Sequence, residues 1–229
     1  MLAAKSDIIT RLKREILPLG GLYSPKNHST ADLGLGFMEE AFPQGVFPLG
    51  AVHELISDRK ESAASSTGFV AGILSGLMKT GNVAIWIGAS RILFPPALKT
   101  FGIAPDQIIF IELKKEKDIL WSVEEALKCG GLAAVIGELP ELSFTSSRRF
   151  QLAVEQSRVT GFILRSNPRN LHPNACVSRW KINPLPTYSE EGLPGLGHAR
   201  WQVDLQKIRN GRPGSWHVEW ANGKPRRVP

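Results

Sequence analysis

Ala51-Val52-His53-Glu54-Leu55-Ile56 leaves the tight turn Phe47-Pro48-Leu49-Gly50 and reads as a strand. From about Thr67 to Leu77 an apolar, small-residue run predicts a helix. Between them stands Ser57-Asp58-Arg59-Lys60-Glu61-Ser62-Ala63-Ala64-Ser65-Ser66-Thr67. This is where a nucleotide-binding α/β domain carries its phosphate loop. Such a loop needs glycines that turn backbone N–H groups toward the phosphates, and a lysine followed by Ser or Thr where the helix opens. The segment contains no glycine, and Ala63-Ala64 and Ser65-Ser66 fall where glycine and lysine belong. Ser65, Ser66 and Thr67 are therefore read as the remnant of a nucleotide site that keeps its scaffold without its phosphate chemistry.

Outward from this stretch, strand and helix patterns alternate as in βαβ units. Asn82 to Ile87, Gln107 to Glu112, Leu132 to Gly137 and Gly161 to Arg165 are apolar runs of the kind found in parallel strands covered on both faces. Pro95 to Gly102 reads as a short helix opened by proline and closed by glycine. Asp118 to Cys129 and Ser146 to Arg158 are amphipathic helices. In the last third the period changes to two. Trp201, Val203 and Leu205 alternate with polar residues, as do Trp216, Val218 and Trp220, around the turn Asn210-Gly211-Arg212-Pro213-Gly214. Val177 to Ile182 is expected to pair beside this hairpin. The expected organisation is residues 1–32 as an N-terminal helix with a linker, 33–221 as the core, and 222–229 as a basic tail that leaves the fold. Ile8, Ile9, Leu12 and Ile16 form the apolar stripe of the first helix, and Gly20 to Asp32 is its linker.

Composition narrows the function classes. A chain of 229 residues with 42% hydrophobic and 21% charged residues has the makeup of a soluble α/β domain. The N-terminal charges Lys5, Asp7 and Arg11, with no uninterrupted apolar span after them, argue against a signal peptide or a membrane helix. Two cysteines without metal-ligand spacing suit a reducing cytoplasm and argue against a disulfide framework. Five scattered histidines give no zinc pattern, and no serine sits in a nucleophile elbow. The net charge of +7 favours an acidic partner, nucleic acid being the usual one, or else marks a basic and inert surface.

Several phrases carry a resemblance. Gly88 to Pro95 followed by Leu98-Lys99-Thr100-Phe101-Gly102-Ile103 is similar to the second-strand region of RecA. Val52-His53-Glu54-Leu55, Leu142 to Ala153 with its Ser146-Ser147-Arg148-Arg149, and Ala175-Cys176-Val177-Ser178-Arg179-Trp180 resemble the ImuA family of error-prone repair proteins, from about Pro48 to Trp220. The resemblance implies a RecA-like three-layer fold, a mainly parallel sheet extended by an antiparallel C-terminal hairpin. It implies damage-induced translesion synthesis with an ImuB-type Y-family polymerase homologue and an error-prone C-family DNA polymerase. RecA and single-stranded DNA are further partners under it, and no membrane is. The same grouping includes SulA, an inhibitor of the division protein FtsZ, which supplies a rival function.

Against an active RecA-type ATPase, Ser90 holds the place of the catalytic glutamate after the second strand. Gly137, followed by Glu138, holds that of the metal-supporting aspartate. With the lysine also gone, neither catalysis nor a cofactor is expected; ATP and magnesium belong only to the alternative of a divergent ATPase using Lys60 or a neighbour's lysine. Lys207-Ile208-Arg209-Asn210-Gly211 is similar to the element by which hexameric RecA-like helicases reach a neighbour's nucleotide, and also reads as an ordinary hairpin. Ser166 to Asn174 takes the place of a RecA DNA-binding loop, so Arg165 and Arg169 are candidate phosphate contacts, or parts of a plain connection. Arg148 and Arg149 open a helix, where cations oppose the dipole, and are expected to meet an anion or partner, to pair with Glu141, or to face solvent. Arg200 to Pro229 carries seven Lys or Arg against two acids, and its Lys224, Arg226 and Arg227 are candidate phosphate or partner contacts.

Overall fold

A computed structural model describes residues 33–79, 81–90, 93–187, 197–221 and 223–228. The stripe of Ile8, Ile9, Leu12 and Ile16 and its linker lie outside the described residues. The strands are β1 (Val52–Ser57), β2 (Ala84–Gly88), β3 (Ile108–Glu112), β4 (Ala134–Glu138), β5 (Thr160–Ser166), β6 (Ser178–Leu185), β7 (Ala199–Ile208), β8 (Gly214–Ala221) and β9 (Lys224–Arg227). The helices are α1 (Lys60–Leu77), α2 (Glu116–Leu127) and α3 (Phe144–Ser157). One nine-stranded sheet runs in the order β3-β2-β4-β5-β1-β6-β7-β8-β9. It is parallel from β3 through β6 and antiparallel from β6 to β9. The mainly parallel sheet with an antiparallel C-terminal extension agrees with the expected fold class.

Two apolar layers flank the sheet. On one face Leu55, Phe162, Trp180, Val203 and Val218 pack with α1 residues Phe69, Ile73 and Leu74 and with Leu35 and Met38 of the leading segment. On the other, Val52, Val135 and Ile163 pack under Ile119 and Val123 of α2 and Phe150 and Val154 of α3. Pro95–Phe101 is a 3-10 helix ended by Gly102 at φ 79, a left-handed position that glycine takes without strain.

Three features depart from the sequence reading. First, α1 begins at Lys60, about seven residues earlier than expected, so only Asp58 and Arg59 connect β1 to it. The polar run resembles a loop in composition, but its serines face inward, because the helix lies too close to the sheet for larger side chains. Ser62, Ser65 and Ser66 are buried. A Cβ on Gly72 would collide with the indole ring of Trp220. Gly72→Ala is therefore expected to destabilise by about 1–3 kcal/mol, since helix or indole must move. A shift in urea midpoint against wild type measures it, and an unchanged midpoint would contradict the close approach.

Second, the basic segment does not leave the fold. Lys224–Arg227 is the edge strand β9, paired antiparallel with β8, with Arg226 opposite Glu219. Ladder hydrogen bonds need no apolar content, which is why composition hid it. Third, the pairing of β6 with β7 shifts between Arg179 and Trp180: Trp180 faces Leu205, whereas Arg179 faces Lys207. The extra residue is a bulge, which turns Lys207 onto the face of Arg179 and leaves Ile208 buried.

Candidate functional site

At the end of β1, the side chains read as a nucleotide remnant point to one another or back into the fold. The Ser57 and Ser66 hydroxyls are hydrogen-bonded at 3.0 Å, and Ser65 Oγ donates to Glu61 O at 3.0 Å. Thr67, half-buried, follows them on α1. Ser62 Oγ donates to Asn183 Oδ1 at 3.0 Å and more weakly to Asp58 Oδ1 at 3.4 Å. Asp58 accepts from Lys181 Nζ at 3.0 Å, which holds its carboxyl below the ordinary range. The acid at this corner and the lysine that pairs with it both belong to the chain itself.

Glu138 and Ser90 stand apart from this corner. On β4, Glu138 is separated from β1 by β5, about 10 Å at the usual strand spacing. Its Oε1 accepts from Trp86 Nε1 at 2.7 Å, and burial pushes its carboxyl above the ordinary range. A Cβ on Gly137 would meet Val123 of α2, so Glu138, the next residue, faces the opposite side. Exposed Ser90 joins Trp86, Gly88, Phe110 and Glu138 around a depression of about 10 Å³, which has room for one water.

The most connected group of charges lies elsewhere, on the α2–α3 face beneath the β5–β6 loop. Glu54, in the middle of β1, has no exposed surface. Its carboxylate accepts from Arg165 Nη1 at 2.6 Å, Arg179 Nε at 2.6 Å and Asn174 Nδ2 at 2.8 Å. Burial alone would raise its pKa, but these three donors outweigh burial and hold it below the ordinary value. Arg165, 1% exposed, also donates to Glu141 Oε2 at 3.0 Å, Asn170 O at 3.1 Å and Pro140 O at 3.3 Å. Four of its five N–H donors are engaged within the chain and its side chain is buried, so it is not available to a phosphate in solution, against its reading as a phosphate contact.

The same cluster fastens the loop. Arg179 Nη2 donates to His172 O at 3.0 Å, Lys207 Nζ to Asn174 O at 2.8 Å, and Arg209 Nη2 to Ala175 O at 3.0 Å. Glu141 accepts from the backbone N–H of Arg169 at 2.7 Å, and Ser147 Oγ accepts from that of Ala175 at 3.0 Å. Lys207 and Arg209 thus hold this chain's own carbonyls in place of a neighbour's nucleotide. Burial, with the charges of Arg179 and Arg209, lowers the Lys207 pKa, opposed by the charge of Glu54. Cys176 is pushed up to about 12 by burial and then by the charge of Glu54, so its thiol stays protonated.

Arg149 pairs with Glu124 of α2 at 2.6 Å rather than with Glu141, which is occupied by Arg165. Arg148 faces solvent, as do Lys224, Arg226 and Arg227 on β9. Sequence reasoning passed over Glu54, Asn174 and Arg179. The signal was an acid inside a run destined for a doubly covered strand, where a charge needs a partner. Among the described residues no three His, Cys, Asp or Glu side chains gather as a metal site, and no helix is long and apolar enough to cross a membrane.

No protein-family profile matches the sequence. The chain is 32% identical over 194 residues to Protein ImuA of Caulobacter vibrioides, covering 80% of each protein. It is 24% identical over 124 residues to the cell division inhibitor SulA of Serratia marcescens, covering 54% of this chain and 72% of SulA. Among solved structures, a KaiC-like protein from Pyrococcus horikoshii superposes with a TM-score of 0.54 at 13% identity, covering 86% of this chain and 97% of that one. That likeness establishes the RecA-like fold and nothing finer.

Proposed function

The chain belongs to the ImuA family, with a RecA-like fold, and from that premise we propose that it is a non-catalytic adaptor of damage-induced, error-prone translesion DNA synthesis. One observation carries the reading: the β1–α1 connection consists of Asp58 and Arg59 alone, and Ser66 is bonded to Ser57 where a lysine would reach for phosphates. A phosphate cradle needs several consecutive backbone N–H groups turned outward, and two residues do not supply them. The residues present do not fit ATP with magnesium. Ser90 and Glu138 support the same reading by their chemistry, since a serine is not a base for water and the Glu138 carboxylate is bonded to Trp86.

On this reading the retained surfaces bind an ImuB-type polymerase homologue and, through it, an error-prone C-family polymerase, with RecA or single-stranded DNA as further contacts. The partial likeness to SulA favours a second reading, a division inhibitor acting on FtsZ. Tagged chain recovered from DNA-damaged cells and examined by mass spectrometry separates the two. Recovery of polymerase components is the expected result. Recovery of FtsZ alone would transfer the function to the second reading, and recovery of neither would remove the adaptor role.

A further inference from the structure

Along α3, Phe144, Arg148 and Leu152 follow at i, i+4 and i+8 and share one face. That face is open: Phe144 is 60% and Leu152 45% exposed. A helix packed on a sheet ordinarily turns polar residues outward, so two large apolar groups around an arginine need an explanation. Arg148 also sits near the helix start, where the dipole disfavours a cation, and it makes no ion pair with any described residue.

The β5–β6 loop stands against the same end of α3, through Ala175 on Ser147 and Arg169 on Glu141. Its tip carries Leu171, 48% exposed. The residues on either side of Leu171 are held from below, Asn170 by Arg165 and His172 by Arg179. An irregular loop with that many bonds keeps one shape and displays Leu171 without further loss of entropy on binding. Arg169, next to this tip, is exposed, and its side chain makes no ion pair with any described residue.

We infer that Phe144, Arg148 and Leu152 of α3, with Arg169 and Leu171 of the loop, form a docking surface for an acidic amphipathic helical segment of a protein partner. Charge complementarity sets the acidic character, since two exposed arginines there make no ion pair with any described residue. Phe144 and Leu152, eight residues and so about 12 Å apart along α3, can meet apolar residues two turns apart on an amphipathic helix, with Leu171 offered from the neighbouring loop. Nucleic acid fits less well. Two cations set among apolar groups make a poor phosphate track. The inference gives the adaptor reading a surface and a partner chemistry, and rests on it only for the expectation that the partner is a protein.

The test places a photo-crosslinking phenylalanine analogue at Leu152 in the full chain, and at Phe94, exposed beside a 3-10 helix that packs on the α1 side of the sheet, as control. After irradiation in DNA-damaged cells, the crosslinked peptide is sequenced, synthesised and titrated against purified chain. The expected result is a Leu152-specific crosslink to an acidic segment with helically spaced apolar residues. Its affinity should fall about tenfold or more in Arg148→Glu and in Phe144→Ala, and reversing a peptide carboxylate to lysine should restore binding to Arg148→Glu. Unchanged thermal melting keeps folding defects apart, since both residues are exposed. The proposal is overturned by crosslinks equal at Phe94 or absent at Leu152, by crosslinks to nucleic acid or a second copy of this chain, or by peptide affinities within about twofold of wild type. An acidic segment from a protein outside DNA synthesis would uphold the surface and overturn the adaptor role. An ImuB-type homologue that binds without crosslinking at Leu152 would do the reverse.

Discussion

Glu54→Ala is expected to destabilise the protein by about 3–5 kcal/mol, the range for removing one partner of a buried ion pair. The substitution leaves Arg165 with no exposed surface to speak of and only Glu141, at the rim, to oppose its charge. It also leaves Asn174 and Arg179 without their shared acceptor. The β5–β6 loop should loosen with them, because the arginines that grip its carbonyls are aligned by Glu54. Urea unfolding gives the first effect, and faster amide exchange or proteolysis between residues 167 and 177 gives the second. Combining Glu54→Leu with Arg165→Met is expected to cost less than Glu54→Leu alone, since the strongest uncompensated charge leaves with its partner. A loss below about 1 kcal/mol for Glu54→Ala would mean that water reaches the cluster and screens it.

The second large effect is a loss of stability in mild acid, centred on His53. The ring is fully buried in a chain of bonds: Trp180 Nε1 donates to Ser178 Oγ at 2.7 Å, and the Ser178 hydroxyl lies 2.7 Å from His53 Nδ1. His53 Nε2 lies 2.8 Å from Pro48 O and donates to it. A neutral imidazole with its proton on Nε2 satisfies every partner, whereas a second proton on Nδ1 would displace the serine hydrogen. Burial lowers the pKa to about 4, against a smaller upward pull from the Pro48 carbonyl. The unfolded chain protonates His53 as pH falls through about 6.5, while the native state does so only near 4. In that window the unfolded state binds more protons, so stability is full above the upper limit and falls as pH drops across it, by about 3 kcal/mol in all. Glu54 adds in the same sense at lower pH, because its depressed folded pKa gives stability that is lost as it protonates. Glu138, raised by burial, acts oppositely and weakens the total fall. Urea midpoints at pH 7, 6, 5 and 4.5 measure the slope. His53→Gln should flatten it between pH 6.5 and 5, and parallel slopes for the two proteins would assign the acid sensitivity elsewhere.

The parallel strands were legible because each is an unbroken apolar run bounded by turn residues, as in Ala84–Gly88 and Ala134–Glu138. The alternation of Trp201, Val203 and Leu205 likewise located β7 and the face it buries. What stayed hidden depends on neighbours remote in sequence. The serines of α1 look like loop residues until Trp201 and Trp220 are seen pressing against Gly68 and Gly72. The charge of Arg165 looks available until Glu54, 111 residues away, is found against it. Lys207 was expected in a hairpin or at a neighbour's site, and a one-residue bulge sends it to the Asn174 carbonyl instead. Periodicity reports which face is buried, but not which distant charge meets which.

The most direct test of a RecA-like fold working without nucleotide chemistry is an equilibrium titration of the full chain with a fluorescent ATP analogue and magnesium. The connection of Asp58 and Arg59 and the Ser57–Ser66 bond predict no saturable binding below about millimolar concentration, equivalent to less than about 4 kcal/mol of binding free energy. Micromolar affinity, with ATP turnover abolished by Lys60→Ala, would contradict the account and make the chain a divergent ATPase.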